Sequence, residues 1–309
     1  GLTPAQISAA LRSVLTQIGT TQGESFWPDM AAGIIRHMLS LGQAFAKTDA
    51  GMAASRKGPN PYSLWWAYQA VLRQDMMKDA IAQVRAARDT MKEKAKAAPN
   101  EVELQKCLDE DRQFWTAELR DTVIYLESAS SRVATETKTG SIANVTQLFD
   151  GFASAPTLRE RFVSGRDENC ITMRDALDGK IVVNTLSSIE DGLPARLVSI
   201  LIKTSLYREA RQREADWKRN ATAGKPQDRP CVVVMDEVQE LATSDASSGL
   251  SDASFWNVAR SSGLAGLFAT QTITALNQAL GEDAASNFVQ QARSKIFFRS
   301  EEKETVEYA

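Results

Sequence analysis

The chain has 309 residues, 43% of them apolar, and a formal net charge of -3. That is length enough for two domains and a sizeable core. It excludes a polycation that would hold nucleic acid through its overall field, so any such contact has to come from local patches. Three widely spaced cysteines, Cys107, Cys170 and Cys231, form neither a disulfide framework nor a C-x-x-C metal pair, and they fit a reducing compartment.

The single histidine, His37, lies in the helical-looking run "GIIRHMLSLG". Its expected role there is structural, which argues against histidine catalysis and zinc chemistry. No apolar run approaches the ~18–20 residues that span a bilayer. The start, "GLTPAQISAAL", lacks the basic stretch of a signal peptide and has no initiator methionine, consistent with a fragment or a processed chain.

Residues 1 to about 145 read as helical. Thr3 is an N-cap, with Pro4 at the first helical position and Gln6 as its capping-box partner. Leu11, Val14, Leu15 and Ile18 follow at helical spacing. A second helix starts near Ser25, with Phe26, Trp27, Met30, Ile34, Met38 and Leu41 as its apolar stripe. Gly58, Pro59 and Pro61 mark a loop over 55–63. Residues 64–98 predict one long helix or two, broken at Pro99, and "VELQKCLDEDRQFWTAELRDTVIYLESASSRV" predicts another.

From about Asn144 the pattern changes. "KIVVNTL" (180–186), "PCVVVMDE" (230–237), "LAGLFATQ" (264–271) and "SKIFFRS" (294–300) read as strands. An amphipathic helix over 193–217 lies between the first two, and the Ser/Gly/Asp-rich "LATSDASSGLSDAS" reads as a loop. Strand, helix, strand with connections this long predicts a mostly parallel sheet with helices on both faces. The expected division is an all-α domain over 1–145 and an α/β domain over 146–309.

In a parallel sheet, ligands gather beyond the carboxyl ends of the strands. Asp236 and Glu237 stand at such an end, after "CVVVM". The arrangement resembles a Walker B element, in which the first acid helps hold Mg²⁺ and the second activates the attacking water. Two solvated acids closing a strand would look the same, because the pattern is short. Gln271 at the next strand tip can bond a γ-phosphate or that water, and Arg260 precedes the same strand. Read singly, Gln271 is an ordinary strand-end glutamine and Arg260 an ordinary helix-end arginine.

Taken together, "VVVMDE", "ARSSGLAGLFATQTITAL" and "SNFVQQARSKIFFRSEEKET", preceded by a helical domain carrying "FWPDMAAGIIRHML", resemble the motor core of the FtsK–HerA superfamily. Within it they are most similar to the TraD/TraG/TrwB coupling proteins of conjugative type IV secretion. The resemblance implies a RecA-like nucleotide-binding domain after an all-α domain, with ATP and Mg²⁺ as cofactors. Asp236 would be the Mg²⁺-linked acid, Glu237 the catalytic glutamate and Gln271 the γ-phosphate sensor. Arg260 would be a finger reaching the next subunit of a homo-hexamer. Implied partners are DNA, relaxosome or secretion-substrate proteins and components of the secretion channel, at the cytoplasmic face of the bacterial inner membrane.

One departure is plain: no G-x-x-x-x-G-K-[ST] is present, since "DGKIV" and "AGKPQ" lack the upstream glycine and the following hydroxyl. In the resembled family that loop precedes the all-α domain, so the phosphate cradle is expected upstream of Gly1. The chain alone is expected to hydrolyse ATP negligibly. Arg85, Arg88 and Lys92, with Lys94 and Lys96, could contact DNA phosphates or form a solvated helix face. The basic residues of "REARQREADWKRN" (208–220) carry the same two readings. Trp65 and Trp66 could stack on bases or fill a core. Two rival functions stay open: a VirB-type or other FtsK–HerA pump, and a noncatalytic module that recognises a secretion substrate.

Overall fold

The computed structural model describes residues 2–18, 26–132, 135–165, 170–187, 190, 192–222, 230–244 and 249–309. The chain divides into two compact units, residues 21–168 and residues 1–20 with 169–309. The first helix, α1 (Pro4–Ile18), belongs to the second of these. Its capping box closes as the sequence predicts: Thr3 N donates to Gln6 Oε1 at 2.9 Å and Gln6 N to Thr3 Oγ1 at 3.3 Å.

Among the described residues of the unit over 21–168 the regular elements are all helices: α2 (Phe26–Phe45), α3 (Asp49–Ser55), α4 (Leu64–Leu72), α5 (Gln74–Lys96), α6 (Glu101–Phe114), α7 (Ala117–Arg132), α8 (Thr135–Ser154) and α9 (Pro156–Leu158). A short π-helical turn, Arg159–Val163, follows. Ser25, the expected cap of α2, lies outside the described residues. α2 packs against α4, α5, α7 and α8, so it is apolar nearly all round, and period alone does not locate its inner face. The buried side carries Ala31, Ile35, Met38, Leu39 and Leu41, while Phe26 is exposed and Ile34 half-buried. Gly42 is required here: a β-carbon would stand 2.1 Å from the Pro61 carbonyl oxygen.

Two breaks that composition does not announce divide the long helical stretches. Arg73, at φ -112° and ψ 93°, separates α4 from α5. Trp115 and Thr116 separate α6 from α7, with Thr116 Oγ1 accepting from Leu119 N at 3.2 Å. The compact helical unit extends past residue 145, to 168. α8 runs on to Ser154 and buries Val145, Leu148, Phe149 and Phe152, with Phe149 stacked on Tyr68 at 4.9 Å. His37 is structural, Nδ1 lying 2.9 Å from Thr122 Oγ1 and the ring stacked on Tyr125 at 4.1 Å. Burial holds its pKa below the ordinary histidine value, with the Arg36 charge adding to the effect.

The other unit holds α10 (Met173–Leu177), α11 (Gly192–Thr222), β1 (Cys231–Met235), α12 (Val238–Leu241), α13 (Asp252–Phe255), β2 (Leu264–Phe268), α14 (Ile273–Leu280), α15 (Glu282–Gln291) and α16 (Lys303–Tyr308). β1 and β2 pair in parallel from Cys231↔Leu264 to Met235↔Phe268. The inward residues Met235 and Leu264 join Tyr207, Phe255, Trp256, Leu276 and Phe288 in one core. Tyr207 and Phe255 stack at 4.0 Å, and Trp256 meets both edge-on.

The expected larger sheet is present in part. Among the described residues only β1 and β2 form a ladder, whereas 180–186 and 294–300 are not in a sheet. Helices cover one face. On the other, Val232, Val234 and Leu267 are 64%, 67% and 62% exposed, and Ile181, Val183, Ile296 and Phe298 are exposed as well. These two segments carry the apolar content of buried strands, but they pair with no described residue. In the predicted loop, residues 245–248 lie outside the described residues, while Thr243 and Asp252 are buried.

Candidate functional site

The parallel register sets the site. Because Met235 pairs with Phe268, the residues that leave the two strands emerge side by side. Ala269 N donates to Met235 O at 2.9 Å, and Val238 N to Ala269 O at 2.8 Å. Asp236 and Glu237 follow β1; Thr270 and Gln271 follow β2.

Glu237 is the focus. Gln271 Nε2 donates to its Oε1 at 2.9 Å, and Gln239 Nε2 donates to its Oε2 at 2.5 Å. Thr270 Oγ1 in turn donates to Gln239 Oε1 at 2.8 Å. The Gln271 amide, and after it that of Gln239, hold the Glu237 carboxyl below the usual carboxylate range, so it is ionised at neutral pH. Glu237 has φ 48° and ψ 51° and is the one non-glycine of positive φ among the described residues. That left-handed backbone lets the chain turn straight from the strand into α12 while the carboxylate faces β2's tip.

Asp236 is exposed, and its Oδ1 accepts from Glu237 N at 3.0 Å. Among the described residues no group of three or more His, Cys, Asp or Glu is placed to hold a metal ion. Asp236 would hold Mg²⁺ only alongside waters and phosphate oxygens, the ligands that ion takes beside one or two carboxylates.

The expected tip residues thus come together, Asp236 and Glu237 beside Gln271. Arg260 does not join them. It sits exposed on the 3₁₀ turn Ala259–Ser262, before β2, whereas Gln271 lies past β2's other end. Five residues of strand separate the two ends by at least ~13 Å.

The basic residues of α5 are engaged within their own unit: Arg85 with Glu127 at 2.7 Å, Arg88 with Asp111 at 3.4 Å and Lys92 with Asp89 at 3.7 Å. Arg88 also lies over the Trp115 ring at 4.4 Å. Trp66 is buried against Phe45 at 5.9 Å, and Trp65 lies beneath Arg159 at 5.1 Å. Arg213, in the basic run of α11, is 2% exposed, and its Nη2 donates to Ser262 O at 2.8 Å.

Sequence reading missed Gln239, whose only signal is its place two residues after Glu237. It also missed a buried network on the far side of α12. Lys203 donates to Leu241 O and to Asp252 Oδ2, and Tyr207 OH donates to Asp252 Oδ1 at 2.6 Å. Burial lowers the Lys203 pKa and raises that of Tyr207 well above its ordinary value.

Two parallel strands whose tips hold a carboxylate between two amides, in a unit otherwise of helices, place this site in the class of strand-end sites of α/β proteins. Residues 230–309 match a family model described as the TraM recognition site of TraD and TraG. That segment includes Asp236, Glu237, Arg260 and Gln271, and its match supports kinship with conjugation coupling proteins. No curated protein and no solved structure matches the chain. Among the described residues no helix is long and apolar enough to cross a membrane.

Proposed function

We propose that the chain is the motor and recruitment region of a conjugation coupling protein, acting in ATP-driven translocation of DNA or a protein–DNA complex. The observation that carries this reading is the Glu237 carboxylate held by Gln271 across adjacent parallel strand tips. In this reading Glu237 orients the attacking water and takes up its proton, and Gln271 reports the γ-phosphate to that carboxylate. Asp236 would hold a water of Mg²⁺, which neutralises charge on the phosphate oxygens. Arg260, remote from Glu237 in its own chain, would serve a neighbouring subunit of a homo-hexamer.

The phosphate cradle would come from outside these residues, whose sequence holds no such loop. The exposed apolar face of β1 and β2, with Ile181, Val183, Ile296 and Phe298, supports a sheet of more than two strands in the complete protein. DNA, a relaxosome protein such as TraM and secretion-channel components are the proposed partners, at the cytoplasmic face of the bacterial inner membrane. The family match over 230–309 also favours a second reading, in which this segment recognises a relaxosome protein without catalysis.

The test is steady-state phosphate release by the complete polypeptide with DNA. Glu237→Gln should retain ATP binding and lose turnover by ~10²–10⁴-fold, the range of a general base. Unchanged turnover in that variant removes the motor reading. Loss of relaxosome-protein binding on deleting 294–309, in a polypeptide with no ATPase activity, would establish the second.

A further inference from the structure

The turn that carries Glu237 is pinned at both ends. At its start, Val238 N donates to Ala269 O at 2.8 Å. At its end, Leu241 O accepts from Lys203 Nζ, a side chain 5% exposed on α11. Lys203 is also paired with Asp252, whose side chain is 0% exposed. The Asp252 carboxylate further accepts from Tyr207 OH at 2.6 Å, Thr243 N at 2.8 Å and Thr243 Oγ1 at 3.0 Å. Tyr207 OH accepts from Trp256 Nε1 at 2.9 Å. One buried set of donors, Lys203, Tyr207 and Thr243, thus serves the carboxylate, and Lys203 also holds the last residue of α12.

A buried ion pair is a costly way to fill a core, and apolar residues of similar volume often serve stability as well or better. Apolar residues cannot hold a particular carbonyl and a particular N–H in place. This pair does so at Leu241 O and Thr243 N, the residues through which the chain leaves α12. At the other end of the same turn stands Glu237, in a left-handed backbone that persists only where the surroundings over-determine it.

We propose that the Lys203–Asp252 pair, with Tyr207 and Thr243, is a positioning device: it fixes α12 so that Glu237 stays in its left-handed conformation with its carboxylate on Gln271 and Gln239. None of the four touches that carboxylate. The functional consequence rests on the proposed role of Glu237; the geometry does not.

The test uses the full chain carrying Lys203→Met with Asp252→Asn, a neutral pair of similar shape whose single amide oxygen can accept from Tyr207 or from Thr243 but not from both. The Glu237 backbone is followed through its Cα and carbonyl carbon NMR shifts, which report φ and ψ, and the Val238 amide by hydrogen–deuterium exchange. The expected result is a folded protein in which those shifts leave their left-handed values and Val238 exchange quickens at least ~10-fold, the mark of local opening. Unchanged shifts and an unchanged exchange rate in the folded variant overturn the proposal. Should the double variant fail to fold, Tyr207→Phe removes one donor to Asp252 and keeps the ring stack. A change in the same direction supports the proposal, and no change overturns it. Neither readout needs nucleotide. Absence of ATPase activity in the complete protein would therefore sink the motor reading alone, and unmoved Glu237 shifts would sink the positioning role alone.

Discussion

Gln271 donates from Nε2 to Oε1 of Glu237 at 2.9 Å, joining residues 34 positions apart in the chain. The contact is a product of register. A one-residue slip of β2 against β1 would move Gln271 away from the carboxylate and turn Leu264 and Phe268 out of the core. The requirement to bury those two side chains therefore also fixes the site.

Gln271→Ala should raise the Glu237 midpoint, because the amide is the main cause of its depression. The sign for stability follows. A depressed carboxyl contributes above its unfolded value, and the contribution is lost as pH falls through the folded value. The variant should thus differ from wild type at neutral pH and converge with it in acid. Gln271 is exposed, so the difference should be at most ~1 kcal/mol. Denaturant titrations at neutral and acid pH measure it.

The backbone of Glu237 makes a separate prediction. Left-handed conformation costs a non-glycine residue ~1–2 kcal/mol, more for a β-branched one. Glu237→Gly should be no less stable than wild type although it removes the carboxylate, and Glu237→Val should lose ~1–2 kcal/mol. Thermal melts of the two variants, compared with Glu237→Gln, separate backbone strain from side-chain contacts.

The anchoring of α16 should depend on acid. Glu302 accepts from Thr305 N at 2.8 Å and Thr305 Oγ1 at 2.6 Å, and Thr305 Oγ1 accepts from Ile273 N at 3.0 Å. The Thr305 hydroxyl leads in holding the Glu302 carboxyl down to about 2 from 4.5. The contact is complete above the unfolded value of 4.5 and disappears as pH falls through about 2. Amide protection at Thr305 should fall across that window in wild type. In Glu302→Gln it should be pH-independent there.

Arg260→Ala should leave the Glu237 titration untouched, since the two lie at opposite ends of β2. In the complete protein it should lower turnover by ~10³–10⁵-fold, the worth of an arginine supplied to another subunit's phosphates, with ATP binding retained. Mixed with Glu237→Gln protein it should regain activity, because one interface can then hold both intact residues. Near-zero rates at every ratio, with mixed rings confirmed by mass measurement, would return Arg260 to a structural role.

What the sequence by itself determined is local. The apolar run ending in Asp236 and Glu237, the Ala269-Thr270-Gln271 strand end and the Thr3–Gln6 capping box are each set within a few residues of chain. Alternation along β1 and β2 then sets which side chains face inward. The tertiary structure decided what distant residues must meet. The shift in composition near 144 is a local signal, and Phe149 and Phe152 beyond it are buried with the helical unit. Arg213 belongs to a basic run that a sequence also reads as a solvated helix face, and Lys203 carries no sequence signal at all, yet both are buried. Their burial depends on carbonyls and a carboxylate 36 to 50 residues away. The left-handed Glu237 had no sequence signal either. Its conformation is imposed by bonds from β2 at one end of α12 and from α11 at the other, and a short pattern of residues does not encode where those elements lie.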